Sequence, residues 1–369
     1  MYRLQLPDYQ LTDFFDEILE DRQGIASNFL LGRLRAIKPF LLNKEEEYKN
    51  LMFSEEGNNL FTVEENKNIE IPKNVKLGHF LNFADGIAKR DLIEKLTEYG
   101  LESLFENIIS MGLSDIKNTL NQISLEEALQ VVDESNALYQ FMSCVDSTAM
   151  KKAYENYIVE SKGSDKKGRD IYEHILLLAD DAMCPYCMYG DVSTVDHYLP
   201  KAHFIEYAIT PLNLLPSCYE CNTRKKDLRK LEENKMFINA YCDDLTQIRW
   251  VECKLVDKVW PLTFEFNVKA DLESAILKER LLEQFDALSL GKLYATKAGR
   301  YFRVRAKKIV GIYKSGGIES MIETLNDDKA SAEYYNLNSL EAKVYEALLN
   351  SEWFLNEGIK EVKEFYLKD

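Results

Sequence analysis

Cys184-Pro-Tyr-Cys187 and Cys218-Tyr-Glu-Cys221 bracket the segment that decides the fold: Val195-Asp196-His197-Tyr198-Leu199-Pro200-Lys201, then Pro211-Leu-Asn213-Leu-Leu-Pro216-Ser217. A C-x-x-C turn sets two thiolates on one side of a tight knuckle, and two knuckles complete a tetrahedral shell for Zn²⁺. The alternative is four unrelated core cysteines. With sulfur at all four positions such a zinc has no open site for water, so the expected role is structural. Any chemistry must come from what the metal holds in place.

The residues inside this frame carry that chemistry. His197 titrates near neutrality and can take a proton from water. Asp196 and Asn222 offer hard oxygen ligands suited to Mg²⁺ or Mn²⁺. Adjacent helical residues are turned by about 100° from one another, so Cys221 can face zinc while Asn222 faces a second cation. Adjacent strand residues point to opposite faces, so Asp196 and His197 can share a site only where the strand twists, bulges or ends. Taken singly, these residues read as a satisfied histidine and ordinary turn residues.

The order Asp-His, Asn, then Asn just after a C-x-x-C resembles the HNH family of ββα-metal (His-Me finger) nucleases over about 45 residues. The wording D-H-Y-L-P-K…N-L-L-P-S-C-x-x-C-N-x-x-K is more loosely similar to HNH effector subunits of Septu-type anti-phage systems. The resemblance implies a metal-dependent endonuclease acting on nucleic acid, DNA in first place. It assigns His197 as general base, Asp196 and Asn222 as ligands of the catalytic cation, and Asn213 to orienting the histidine. It also suggests an ATPase or other defence-system subunit as partner. The competing expectation is a catalytically silent zinc module that binds nucleic acid or protein.

Beyond the finger, the 369 residues exceed one ordinary core. The expected class is α+β, a mainly helical protein with a central treble-clef-like, zinc-stapled ββα module and a small β-ribbon after it. The expected domains are a helical one over 1–160, the nuclease module over 171–235, and ribbon plus helices over 245–369. Ser124 and Glu127 form a capping box at the head of a helix expected to run to Met142. Residues 54–75 read as an exposed loop and Ser161 to Asp170 as a polar linker. Ile248 to Val251 and Leu262 to Val268 alternate as two strands, and Asp271 to Leu288 reads as helix. His79 and His174 are expected in the core, and His203 in the loop between the finger's strands.

The net charge is −16, unusual for a phosphate binder. Yet residues 292–314 hold eight basic side chains and no acidic one, leaving −24 for the rest. With Tyr294, Tyr301, Phe302 and Tyr313 interleaved, that stretch has a composition suited to nucleic acid. Lys201, Arg224, Lys225 and Lys226, followed by Arg229 and Lys230, are the phosphate-gripping candidates near the finger. Seven cysteines, no signal-like N-terminus and no apolar run of membrane length point to a cytoplasmic chain without a disulfide framework and no membrane association.

Overall fold

The computed structural model describes residues 3–20, 28–54, 58–81, 86–160, 167–228 and 232–367. Arg229 and Lys230, and residues 161–166 of the expected linker, lie outside them. The chain is mainly helical, with three two-stranded antiparallel sheets among the described residues, an α+β architecture. No helix among the described residues is long and apolar enough to cross a membrane.

Among the described residues, nine α-helices precede the finger: α1 (Leu11–Glu20), α2 (Asn28–Met52), α3 (Leu77–Leu81), α4 (Lys89–Glu98), α5 (Leu113–Leu120), α6 (Leu125–Leu129), α7 (Ala137–Ser143), α8 (Ser147–Tyr154) and α9 (Lys167–Leu177). A short ribbon joins them, β1 (Asn68–Glu70) against β2 (Cys144–Asp146). The expected loop over 54–75 is therefore partly strand, with Ile69 and Ile71 buried. The capping box forms as expected, with Ser124 Oγ accepting from Glu127 N and the Glu127 carboxylate accepting from Ser124 N. The helix it starts does not reach Met142. The Asp133 carboxylate takes Ser135 N and Asn136 Oδ1 takes Leu138 N, so these short polar side chains break the run and cap a second helix.

The finger is a ββα unit. β3 (Thr194–His197) pairs with β4 (Leu214–Ser217), setting Asp196 opposite Leu215 and His197 opposite Leu214, and α10 (Tyr219–Lys225) follows at once. Its hairpin is wedged between two hydrophobic cores. Val195, Ile205, Ile209 and Leu214 pack with the N-terminal helices. Tyr198, Leu199, Phe204 and Leu215 pack with the C-terminal part, together with Tyr48 and Met52 of α2. Burial on both faces explains why β4 runs Leu214-Leu215-Pro216 without polar alternation.

The C-terminal part begins with β5 (Val251–Val256) paired to β6 (Thr263–Val268). The expected first strand starts late: Asn338 accepts from Trp250 N and Val251 N and donates to Ile248 O, tying 248–250 to another segment. Then come α11 (Ala275–Ala287), α12 (Leu290–Tyr335), α13 (Leu340–Asn350) and α14 (Ile359–Tyr366). α12 is two arms, not one rod. Gly317 has φ 74° and ψ −167°, a conformation only glycine adopts freely. Lys308 Nζ lies 2.8 Å from Asp328 Oδ2, whereas a straight helix holds residues 20 apart about 30 Å from each other. The arms 290–316 and 318–335 therefore fold back on one another.

Candidate active site and metal centre

The four cysteine sulfurs lie within 4.8 Å of one another, all buried, the one such cluster of potential metal ligands among the described residues. Both knuckles are tightened by backbone donors: Gly190 N donates to Cys187 Sγ at 3.3 Å and Cys221 N to Cys218 Sγ at 3.4 Å. Met188, at φ 52°, turns the first knuckle. A Cβ on Gly190 would stand 2.9 Å from Cys218 Sγ, so only glycine closes the turn. The sulfurs hydrogen-bond among themselves, which drives the Cys218 thiol far down and the Cys221 thiol far up. The spacing and donor set fit Zn²⁺. On the outer wall, Tyr294 Oη donates to Cys187 O at 3.0 Å and Lys297 Nζ sits 4.4 Å over the Tyr189 ring.

Asp196 faces the finger. Its Oδ2 accepts from Tyr186 Oη at 2.7 Å and pairs with Lys225 Nζ at 2.9 Å, both charged groups almost wholly buried. Lys225 Nζ also donates to His197 O at 2.7 Å, so one ammonium ties the carboxylate to the strand end. This corrects the expectation that Lys225 grips phosphate: it stands one helical turn after Cys221 and shares its buried face. Asn222, beside Cys221, turns to β3 and donates to Thr194 Oγ1 at 3.0 Å and Val195 O at 3.3 Å.

His197, the last residue of β3, faces the other way. Its ring stands edge-on to Tyr154 with centroids 4.4 Å apart. Nε2 lies 2.9 Å from Ala208 O. A carbonyl only accepts, so Nε2 carries the hydrogen and Nδ1 keeps the lone pair. Burial, then the charges of Lys201 and Lys225, pushes the imidazole well below its ordinary range, against the Ala208 carbonyl, so it stays neutral.

Asn213 clasps the loop that supplies this carbonyl. Its Oδ1 accepts from Leu199 N at 2.7 Å and Tyr48 Oη at 3.1 Å, and its Nδ2 donates to Leu199 O at 3.0 Å and Tyr207 O at 3.1 Å. Its side chain makes no hydrogen bond to His197. It fixes Tyr207, whose neighbour Ala208 receives the histidine. Glu206, in the same loop, is pushed up to about 7 by burial.

Asp196 Oδ1, Asn222 Oδ1 and His197 Nδ1 accept no hydrogen bond from the described residues. Hard oxygens are the donor type a weakly held divalent cation takes, and a neutral nitrogen lone pair is the type that accepts a proton from water; here Asp196 and His197 present them in opposite directions from the end of β3. Lys201 is half-buried with its ammonium 4.3 Å over the Tyr154 ring. Its pKa is lowered, first by burial, against the raising effect of Glu155. Arg224 is exposed but paired with Glu220 at 2.7 Å, and Lys226 is exposed at the helix end. His203 Nδ1 is 3.6 Å from Glu65 Oε1. His79 is exposed, and His174 is half-buried with Nε2 accepting from Asp8 N, so neither is a core histidine.

Sequence spacing gave no sign of Tyr48 and Tyr154, which arrive from distant helices. Tyr186 lies inside the first knuckle and was in view, and the i,i+4 relation of Cys221 and Lys225 could have revealed the buried lysine.

Residues 184–228 match the HNH endonuclease family, and these are the residues of the ββα unit and its cysteine cluster. The chain is also 30% identical over 157 residues to Protein ea31 of Escherichia phage lambda, covering 41% of this chain and 51% of that protein. The chain thus spans about half the length of the curated relative it matches. No solved structure matches. An HNH endonuclease domain at 184–228 supports nuclease activity and a nucleic-acid substrate.

Proposed function

We propose that the chain is a metal-dependent HNH endonuclease that hydrolyses phosphodiester bonds, with DNA as the favoured substrate. The observation that carries the reading is the His197 ring. Its Nε2 hydrogen is committed to Ala208 O, so Nδ1 is left as the base, at the end of the strand that also carries Asp196. Nδ1 takes the proton of the attacking water, and Asp196 with Asn222 holds Mg²⁺ or Mn²⁺. When bound there, such a cation would supply stabilisation for the charge on the phosphate. Lys225 is a positioning residue that fixes the carboxylate and the strand end. Lys201, Arg224 and Lys226 remain the candidates for phosphate contact. The four cysteines hold structural Zn²⁺.

Zinc-loaded protein, dialysed free of other divalent ions, should cleave plasmid DNA only after Mg²⁺ or Mn²⁺ is added. Metal analysis should return one zinc per chain. Cleavage without an added cation contradicts the reading.

One observation favours the second reading, a silent binding module: an ammonium already neutralises Asp196. Substrate bound tightly, with no turnover at any Mn²⁺ concentration, supports that alternative.

The wider placement rests on resemblance. A cytoplasmic effector of anti-phage defence working with an ATPase follows from the Septu-like wording and the acidic flanks, and an ATP-binding protein co-purifying from the native host tests it. The division into 1–160, 171–235 and 245–369 is likewise a proposal, tested by limited proteolysis.

A further inference from the structure

The first arm of α12 has a pattern that the finger does not account for. Lys292, Arg300, Arg303, Lys307 and Lys314 are all exposed. At about 100° per residue they fall within an arc of roughly 80°, on one stripe of the helix. The aromatic residues of the stretch point elsewhere. Tyr294 and Phe302 are buried, and Tyr301 shares a hydrogen bond of 2.8 Å with Tyr345. This corrects the expectation that they interleave with the cations at a nucleic-acid surface.

None of the five stripe cations forms an ion pair with a carboxylate among the described residues. Off the stripe, Lys308 is paired with Asp328. In a chain with 62 acidic and 46 basic side chains, a long row of exposed cations without paired carboxylates among the described residues departs from the overall acidic balance. Among the described residues, the partner found for any of them is the Tyr366 ring, 5.8 Å from the Arg303 guanidinium carbon. The helix bearing the row starts against the zinc knuckle, through Tyr294 on Cys187 O and Lys297 on Tyr189.

We propose that this stripe is a phosphate-binding rail for double-stranded nucleic acid. The inference deepens the nuclease reading and rests on it for the identity of the polyanion. From Lys292 to Lys314 the row measures about 33 Å at 1.5 Å per residue. That is about ten base pairs of duplex at 3.4 Å each. Single strands are held by aromatic side chains on which bases stack, and the exposed stripe has none. A straight row of cations without stacking groups or base-reading amides grips a duplex backbone and reads no sequence.

The test is binding of the full-length protein to a fluorescent 30-base-pair DNA duplex, without Mg²⁺ or Mn²⁺, across a salt series. The triple variant Arg300→Gln, Lys307→Gln, Lys314→Gln removes cations that have no protein partner, so it should fold as the parent does. Affinity should fall roughly tenfold or more, and the slope of log K against log salt should shrink by about 3. Lys254→Ala, Lys258→Ala, Lys360→Ala, off the stripe, should change neither. Unchanged affinity and slope in the stripe variant overturn the rail. So does a parent that prefers single strands, or one that cleaves plasmid without measurable duplex binding, an outcome that leaves the nuclease reading standing. A parent that binds through the stripe and never cleaves supports the rail and removes the nuclease reading.

Discussion

The two ends of one small ββα unit make opposite use of their polar atoms. At the cysteine end every ligand is sulfur, every sulfur is buried, and backbone N–H groups close the knuckles around them. At the Asp196–His197 end two oxygens and a nitrogen accept no hydrogen bond from the described residues. A saturated soft site holds its metal permanently and does no chemistry, whereas an unsaturated hard site can exchange cation, water and phosphate. α10 joins the two: Cys221 belongs to the first, Asn222 to the second, and Lys225 braces Asp196 from the same buried face. On the proposed reading, metal-held stability and catalysis fall to neighbouring residues of one helix.

The most severe way to break that contrast is at the sulfur end. Cys218→Ser should cost most of the apparent zinc-binding free energy, on the order of 10–16 kcal/mol for structural zinc. The finger should then lose zinc and unfold locally, read by metal analysis and by hydrogen exchange over 184–228. Zinc retained at full occupancy would break the assignment.

Next is the brace. Lys225→Met leaves the Asp196 carboxylate buried without its cation, which typically costs about 3–5 kcal/mol. Chemical denaturation should show that loss while zinc stays bound. A loss below about 1 kcal/mol would mean that Asp196 had found other company.

The loop that orients His197 offers a pH handle. Burial raises Glu206 to about 7, above its ordinary value, so the neutral form is the one that suits the fold. Its contribution is complete below about pH 4.5 and is lost as pH rises through about 7. By linkage the span is about 3 kcal/mol. Glu45 is pushed up to about 7 in the same way, again mainly by burial. The melting temperature should therefore fall from pH 5 to pH 8, and fall less in Glu206→Gln. Equal slopes in the two proteins would show that Glu206 is ionised without penalty.

The smallest effect concerns the wall over the histidine. Tyr154→Leu removes an edge-on aromatic contact worth about 1 kcal/mol and should leave the zinc end untouched. The His197 ring resonances should shift in NMR spectra, and unshifted signals would deny the contact.

What could be read from the chain alone follows this division. The cysteine end was legible because two C-x-x-C turns dictate geometry within four residues each. The capping box at Ser124 and Glu127 was legible for the same local reason. The break after Leu129 was missed because apolar spacing outweighed Asp133 and Asn136, whose side chains compete with the helix. Gly316-Gly317 likewise carried the signal for the turn inside α12. At the proposed catalytic end the sequence offered residue types but not their arrangement. Asn213 reaches His197 only through the Tyr207–Ala208 backbone, and Tyr48 and Tyr154 come from helices 165 and 43 positions away from the residues they touch. No short-range pattern encodes contacts of that length.

The central claim is that His197 Nδ1 is the base of a cation-dependent cleavage. It is tested most directly by comparing wild type and His197→Ala, both zinc-loaded and both folded, on plasmid DNA in Mg²⁺. The account predicts that the variant keeps its zinc and its melting profile and loses roughly 100-fold or more in cleavage rate, the range ascribed to a positioned general base. Cleavage by the folded variant at the wild-type rate would contradict it.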